Sequence, residues 1–313
     1  MFGKSSHSTR IGIHITQDTI AVSEFNPTDL ASSIKSCFVI SSTDETERSQ
    51  QLENYIKQNK LKKCPCTVVL DASYYDLYQL PAPPVEDSEL RSAMYWRVKD
   101  LISYPIEDAV IDVFRVPVES HREAKVYVVV SPRENIKSVV KLIQNADLSL
   151  EVIDIEQLGM LSLIEKLETQ KKGLAVLHMG QQSGSINLYH NNKLFLSRKI
   201  DIGLERIAAL HSDDTDATNM LNQAYDPIIL ELQRSLDFYE SEFAKAPITR
   251  LMVVPRHPML QSFCDYANSN FGMDVGFINL AQLYTASTEL TDEHQAGCLI
   301  AVAAASRKPE VAA

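Results

Sequence analysis

Ile11-Gly12-Ile13-His14-Ile15, then Thr16-Gln17-Asp18, then Thr19-Ile20-Ala21-Val22-Ser23-Glu24-Phe25 reads as two short strands around a tight polar turn. A third apolar patch follows from Cys37 to Ile40. Ser41 to Lys63 is polar but sets Leu52, Tyr55 and Ile56 at helical spacing, and Thr67 to Asp71 returns to strand composition. The same order starts again at Leu174. Leu174 to Met179, Ser185 to Tyr189 and Lys193 to Ile200 are strand-like runs around polar turns, and Asn191-Asn192 is a hairpin signal. An offset of 164 residues lays His14 on His178 and Gln17 on Gln181. The repeat predicts an α/β protein built from two related halves.

Between the two starts lies a segment of different character. Leu80-Pro81-Ala82-Pro83-Pro84 is a rigid lead-in, because a residue before proline is pushed out of helical geometry. A helix is expected from about Asp87, with Leu90, Met94, Val98 and Leu101 on one arc and Trp96 opposite. Tyr104-Pro105 ends it. Strands from Val110 to Val116 and Lys125 to Val130, and a helix from Pro132 to Ala146, complete a small α/β module inserted into the first half. Later, Tyr225, Ile228, Leu232, Leu236, Tyr239 and Phe243 continue a pattern begun at Leu221 and predict a long helix. Pro227 either kinks that helix or opens a new one capped by Asp226. A strand from Arg250 to Val254, a helix from Pro258 to Asn268 and an apolar helix from Asp292 to Ser306 close the pattern.

Lysine and arginine number 30 against 41 aspartates and glutamates, a net charge of −11. Such acidity argues against non-specific nucleic-acid binding, which rests on basic side chains neutralising phosphates. The basic run Lys57, Lys60, Lys62 and Lys63 reads as a solvated helix end. Five cysteines, with Cys64 and Cys66 flanking Pro65, fit neither a disulfide framework nor zinc spacing and are expected as reduced thiols. No run approaches the roughly 18 to 20 apolar residues that span a bilayer, and Met1 to Arg10 has no apolar signal core, so a soluble intracellular protein is expected. No Ser-His-Asp or Cys-His set has the spacing of a nucleophilic site. The 10 glycines, about 3% of the chain against a usual 7%, leave few for phosphate-cradling turns.

Three stretches carry a family resemblance. Leu80-Pro81 leads into Val85-Glu86-Asp87-Ser88-Glu89-Leu90 and then Trp96-Arg97-Val98-Lys99-Asp100-Leu101-Ile102-Ser103-Tyr104-Pro105-Ile106-Glu107-Asp108. The hairpin from Ile186 to Ile200 and the run Leu232-Gln233-Arg234-Ser235-Leu236-Asp237-Phe238-Tyr239 are the others. The chain resembles the PilM family of actin-like cytoplasmic proteins that assemble type IV pili, and within it the MshI branch of mannose-sensitive haemagglutinin (MSHA) pili. The resemblance implies a two-lobed actin-like fold, a duplicated ribonuclease H-like α/β architecture with a small α/β subdomain inserted into the first lobe. The first lobe is expected over residues 1–170, with the insertion at about 84–152. The second is expected over 171–313, with the helix at about 292–306 placed to pack back on the first.

In that family ATP lies in a cleft between the lobes, its phosphates against two hairpins that each carry an Asp-x-Gly turn. Glycine lets amides approach the phosphates, and the aspartates hold magnesium through water. The corresponding positions here are His14, Thr16, Gln17 and Asp18 in the first turn and His178, Gly180, Gln181 and Gly184 in the second. Glu231 and Arg234 lie on the long helix, where they also suit an intrahelical pair, and Pro255 and Arg256 follow the adenosine strand. Histidine replaces both aspartates, the first turn lacks glycine, and Pro255-Arg256-His257-Pro258 replaces a Gly-Gly pair. Imidazole is a poor ligand for magnesium. No catalytic residue and no cofactor are therefore expected, with an Mg-ATP-dependent ATPase or nucleotide switch as the alternative. A transition metal held by His14 and His178 lacks an evident third ligand; Arg256 and His257 are read as solvated loop residues in preference to ligand contacts. The implied partner is a PilN-like, MshJ-type inner-membrane protein. Its cytoplasmic N-terminus would lie in a groove between the inserted module and the first lobe, near Leu80, Tyr95 and Trp96, keeping the protein cytoplasmic and peripheral to the inner membrane. Trp96 otherwise packs the module onto the lobe.

Overall fold

The computed structural model describes residues 9–29, 33–117, 123–168, 172–210, 217–287 and 289–308. Residues 1–8 and the side chain of Leu221, both used in the sequence reading, lie outside that description. The first half runs β1 (Arg10–Ile15), β2 (Thr19–Phe25), β3 (Ile34–Ser41), α1 (Glu45–Gln58), β4 (Pro65–Leu70), β5 (Asp76–Pro81) and α2 (Asp87–Val98). It continues with β6 (Ala109–Arg115), β7 (Lys125–Pro132), α3 (Arg133–Asn145), β8 (Ser149–Ile155), α4 (Glu156–Gly159) and α5 (Leu161–Leu167). The second half runs β9 (Leu174–Met179), β10 (Gly184–His190), β11 (Lys193–Ile200), α6 (Leu204–Leu210), α7 (Ala217–Phe243) and β12 (Arg250–Val254). It ends with α8 (Gln261–Phe271), β13 (Asp274–Phe277), α9 (Leu280–Leu283) and α10 (Asp292–Ser306).

The described residues divide into two compact units. One lies within Met1–Met160, Tyr284–Glu289 and Ile300–Ala313, the other within Leu161–Leu283 and Leu290–Leu299. Each is built on a five-stranded sheet of the same topology, β3-β2-β1-β4-β8 in the first and β11-β10-β9-β12-β13 in the second. In both, the first strand pairs antiparallel with the second and parallel with the strand after the helical crossover. β1 and β9 are offset by 164 residues at both ends, so the repeat read from the sequence is a repeat of structure.

Alternation in β1 explains its place at the centre of the first sheet. Ile11, Ile13 and Ile15 join Leu52 and Ile56 of α1 and Val139 and Ile143 of α3 in one core. Gly12 and His14 point to the other face. There a Cβ on Gly12 would lie 1.9 Å from the Ala301 carbonyl oxygen and 2.4 Å from the Ala305 amide nitrogen, so only glycine admits the alanine-rich end of α10. Ala301, Ala303, Ala304 and Ala305 are fully buried.

The inserted module is a three-stranded sheet, β5-β7-β6, covered by α2. Leu90, Met94 and Val98 of α2 bury against Ile111, Val126, Val128 and Val130. The small sheet runs from Asp76 to Pro132; the expected limits of about 84 and 152 fall after β5 and inside β8, and β8 belongs to the five-stranded sheet. Leu101, expected on the apolar arc, is exposed, because α2 ends at Val98 and the arc ends with it. α7 is one helix with Pro227 inside it, which decides against a new helix capped by Asp226. The hairpin signal at Asn191-Asn192 is realised, both residues having positive φ, 49° and 56°.

Candidate functional site

The β1–β2 turn is closed by its own side chains. Thr16 Oγ1 accepts the amides of Thr19 (3.0 Å) and Asp18 (3.4 Å), donates to the Asp18 carboxylate (3.0 Å) and shares a hydrogen bond with Thr19 Oγ1 (2.8 Å). The turn's carbonyls are taken up from outside. Tyr74 OH donates to Thr16 O, the Ser42 amide to Asp18 O, and the buried Arg48 guanidinium to Gln17 O and Ser42 O. His14 lies one residue before the turn with its side chain buried, and its Nε2 meets the Glu156 carboxylate at 3.1 Å. Glu156 opens α4 next to Gln157, which accepts from Tyr75 OH at 2.7 Å. Burial, helped by the Glu156 charge, holds the Tyr75 phenol well above its usual range, so it stays a neutral donor.

The β9–β10 turn is drawn onto the start of α6. Gly180 N donates to Ser183 O, while Gly180 O and Gln181 O accept the amides of Leu204 and Glu205 at 2.9 and 3.0 Å. Gly203 permits this approach: a Cβ there would lie 2.3 Å from Gln181 O. Gly184 is needed for a similar reason, since its Cβ would lie 2.6 Å from His178 O. His178 is half-buried at the fifth position of β9, as His14 is at the fifth of β1.

Glu231 and Arg234 form the expected intrahelical pair at 2.6 Å, and Glu231 also takes Arg198 of β11 at 3.3 Å. After β12, the Val254-Pro255 peptide is cis, Arg256 pairs with Asp292 at 2.9 Å, and His257 accepts the Met259 amide at 3.2 Å. Both of the last two are therefore engaged rather than freely solvated. Among the described residues no group of three or more His, Cys, Asp or Glu is arranged to hold a metal, and all five cysteines are free thiols. Among the same residues, no helix is long and apolar enough to cross a membrane.

On the module, Leu80 and Tyr95 sit on the rim of its core. Trp96 is 67% exposed, which overturns its reading as a packing residue, and its ring meets Tyr95 edge-on at 5.3 Å. β5 pairs with β7 alone among the described strands, so its other edge is unpaired there.

Sequence reading missed Arg48, Glu156, Arg198 and Gly203. Arg48 and Arg198 act across gaps of 31 and 33 residues, and nothing local marks them. Gly203 had a signal: in so glycine-poor a chain, a glycine just ahead of a helix start marks a close backbone approach.

Residues 79–219 match the family model described as type IV pilus assembly protein PilM. That range holds most of the module and the whole β9–β11 hairpin. No curated protein matches the sequence. Among solved structures, a chain of a PilM–PilN type IV pilus biogenesis complex superposes with a TM-score of 0.73 at 16% identity, covering 96% of this chain and 99% of that one. A Bacteroides thetaiotaomicron protein of unknown function with an actin-like ATPase fold gives 0.53 at 10% identity, covering 96% and 98%. The cytoplasmic domain of EpsL, an inner-membrane component of the Vibrio cholerae type II secretion system, gives 0.51 at 10% identity, covering 96% of each. The fold is that of the actin-like ATPases.

Proposed function

We propose that this chain is a PilM-type cytoplasmic adaptor of a type IV pilus assembly platform of the MSHA kind. Its inserted module and first half would hold the cytoplasmic N-terminus of a PilN-like, MshJ-type inner-membrane protein, which keeps it peripheral to that membrane. The observation that carries the reading is the family match over residues 79–219, because it covers most of the module the partner would use. The unpaired edge of β5 suits an extended peptide, which binds by adding backbone hydrogen bonds along a strand. Leu80 on β5, and Tyr95 and exposed Trp96 on α2, are the apolar residues this reading assigns to the partner as anchors.

The nucleotide positions fit Mg-ATP poorly. A phosphate turn needs amides free to point at the ligand, yet the Asp18 and Thr19 amides are spent on Thr16 and the Gly180 amide on Ser183 O. Asp18 adds negative charge beside them, and His14 is committed to Glu156. We therefore read the chain as a pseudo-ATPase, needing no cofactor.

Two titrations test the proposal. A synthetic peptide copying the partner's cytoplasmic tail should bind the protein by calorimetry and shift the emission of Trp96, the sole tryptophan. Trp96→Ser should weaken that binding about tenfold with no loss of thermal stability, since truncating a buried aromatic anchor costs 1 to 2 kcal/mol or more. No association with any platform component overturns the adaptor reading. Mg-ATP should leave the melting temperature unchanged. A shift worth about 4 kcal/mol, as for ligand at a thousand times its Kd, would restore the nucleotide-switch reading.

A further inference from the structure

The first unit is electrically polarised along its strands. β1, β4 and β8 run parallel, so the β1–β2 turn lies at one end of the sheet and the starts of β4 and β8 at the other. At the turn end stand Asp18, then Asp44, Glu45 and Glu47 at the start of α1, and Asp71, whose amide bonds Ile15 O. At the opposite end the exit loops of α1 and α3 meet. The Lys63 amide donates to Asp147 O at 2.7 Å and the Ser149 amide to Cys64 O at 2.9 Å. Here Lys57, Lys60, Lys62, Lys63 and, on the last turns of α3, Lys141 are all exposed. Of the carboxylates at this end, Asp147 pairs with Lys62 and Lys63, Glu151 with Arg10 and Asp29 with Lys35, while half-buried Glu24 accepts from Ser36.

Two features separate this cluster from an ordinary helix end. Lys60 and Lys63 have φ of 59° and 62°, the left-handed region where glycine sits without cost. Charge is thus placed where backbone conformation disfavours any side chain. Among the described residues the cluster's exposed cations are also all lysines, compact ammonium groups on flexible stems, with no exposed arginine fork to grip a particular carboxylate. Such a surface suits a diffuse layer of negative charge better than one acidic peptide. The six residues of β1 span about 20 Å at roughly 3.3 Å each, beyond two Debye lengths of about 8 Å in physiological salt. A surface at the basic end is therefore screened from the acidic one.

We propose that this lysine end docks the protein on the anionic phospholipid headgroups of a membrane and fixes its orientation there. A chain of net charge −11 is repelled overall by such a surface, and this end gives it a basic face to present. The proposal rests on the adaptor reading, in which the partner is a membrane protein, and adds a second contact that the partner peptide does not supply.

The test is flotation of the full chain with vesicles at low ionic strength, without partner. Vesicles of phosphatidylethanolamine and phosphatidylglycerol should carry the protein, vesicles of phosphatidylcholine should not, and added salt should release it. Changing Lys57, Lys60 and Lys62 to Gln should weaken flotation on the order of 100-fold, at roughly fivefold per lysine. The same change at Lys172, Lys193 and Lys199, exposed in the second unit, should leave it intact. Equal loss in both triple variants, or equal flotation on both vesicle types, overturns the proposal. So does capture of the protein by duplex DNA in preference to anionic vesicles. Partner-peptide binding measured on the same variants separates the two readings: vesicle binding absent with peptide binding intact sinks this inference alone. Lys60→Gly, which removes charge while relieving the backbone, should fold at least as stably and still weaken flotation several-fold.

Discussion

At the scale of single residues, two positions set conditions the rest of the chain must meet. Gly12 is one: Gly12→Ala drives a methyl into the backbone of α10, not into a side chain that can swing away. The expected loss is about 3 kcal/mol or more, the upper range for overpacking, read as a lower urea midpoint. His190 is the other. Its burial pushes the imidazole below the usual 6.5, with Lys245 adding to the fall and Glu168, 4.0 Å away, opposing it. The unfolded chain then takes up the proton first. The stability this residue contributes is complete above about pH 6.5 and is lost as pH falls through the lowered folded value. Unfolding at about pH 7 and about pH 5 should show that loss, and His190→Gln should flatten it. Neither condition was open to sequence reading. The pattern around Gly12 marks a strand, but the helix that demands glycine lies almost the whole chain away. The histidine at position 14 was legible as a departure from an aspartate, whereas its carboxylate partner at 156 was not.

Among elements, the most legible are those whose apolar runs match their burial. β1, β2 and the strands of the β9–β11 hairpin are short runs buried along most of their length, α3 repeats at helical spacing, and the structure keeps them close to the expected limits. From the sequence, only Leu80 and Pro81, the end of β5, are assigned to a rigid lead-in, and Asp76 to Gln79 to no element. That proline closes an edge strand, where a missing N–H costs no ladder bond. β8 and β13 lack a clear strand signal for a different reason: Glu151 and Asp154 break the apolar run of one and Gly276 that of the other, and parallel pairing inside a sheet, not local pattern, makes them strands. α1 carries a testable duty beyond its apolar stripe. Through Arg48 it holds the carbonyls of Gln17 and Ser42, so Arg48→Met strands two acceptors at once. A loss of about 2 kcal/mol is expected, with faster hydrogen exchange in the β1–β2 turn. If exchange there stays unchanged, Thr16, Tyr74 and the Ser42 amide close the turn without Arg48.

For the whole molecule, the duplication is the feature that sequence and structure share most fully. Two sheets of identical strand order arise from halves with few identical residues, because the pattern of burial repeats where the residues do not. What the chain does with that fold was less legible, since the repeat fixes where turns fall and says nothing of which amides remain free in them. The meeting of Gly12 with Ala301 and Ala305 carries one more consequence, for the order of synthesis. The N-terminal strand leaves the ribosome roughly 290 residues before the helix that covers it. At about 5 to 20 residues per second that interval lasts some 15 to 60 s. Through it, the Gly12 face of the first sheet waits uncovered, with Ser23 and Thr67 beside the glycine. Stalled nascent chains ending at Leu299 should remain protease-sensitive in β1, and synthesis of the 14 residues that follow should protect them. Newly made protein thus has a window in which chaperones and neighbouring chains compete with its own C-terminal helix for the same seat.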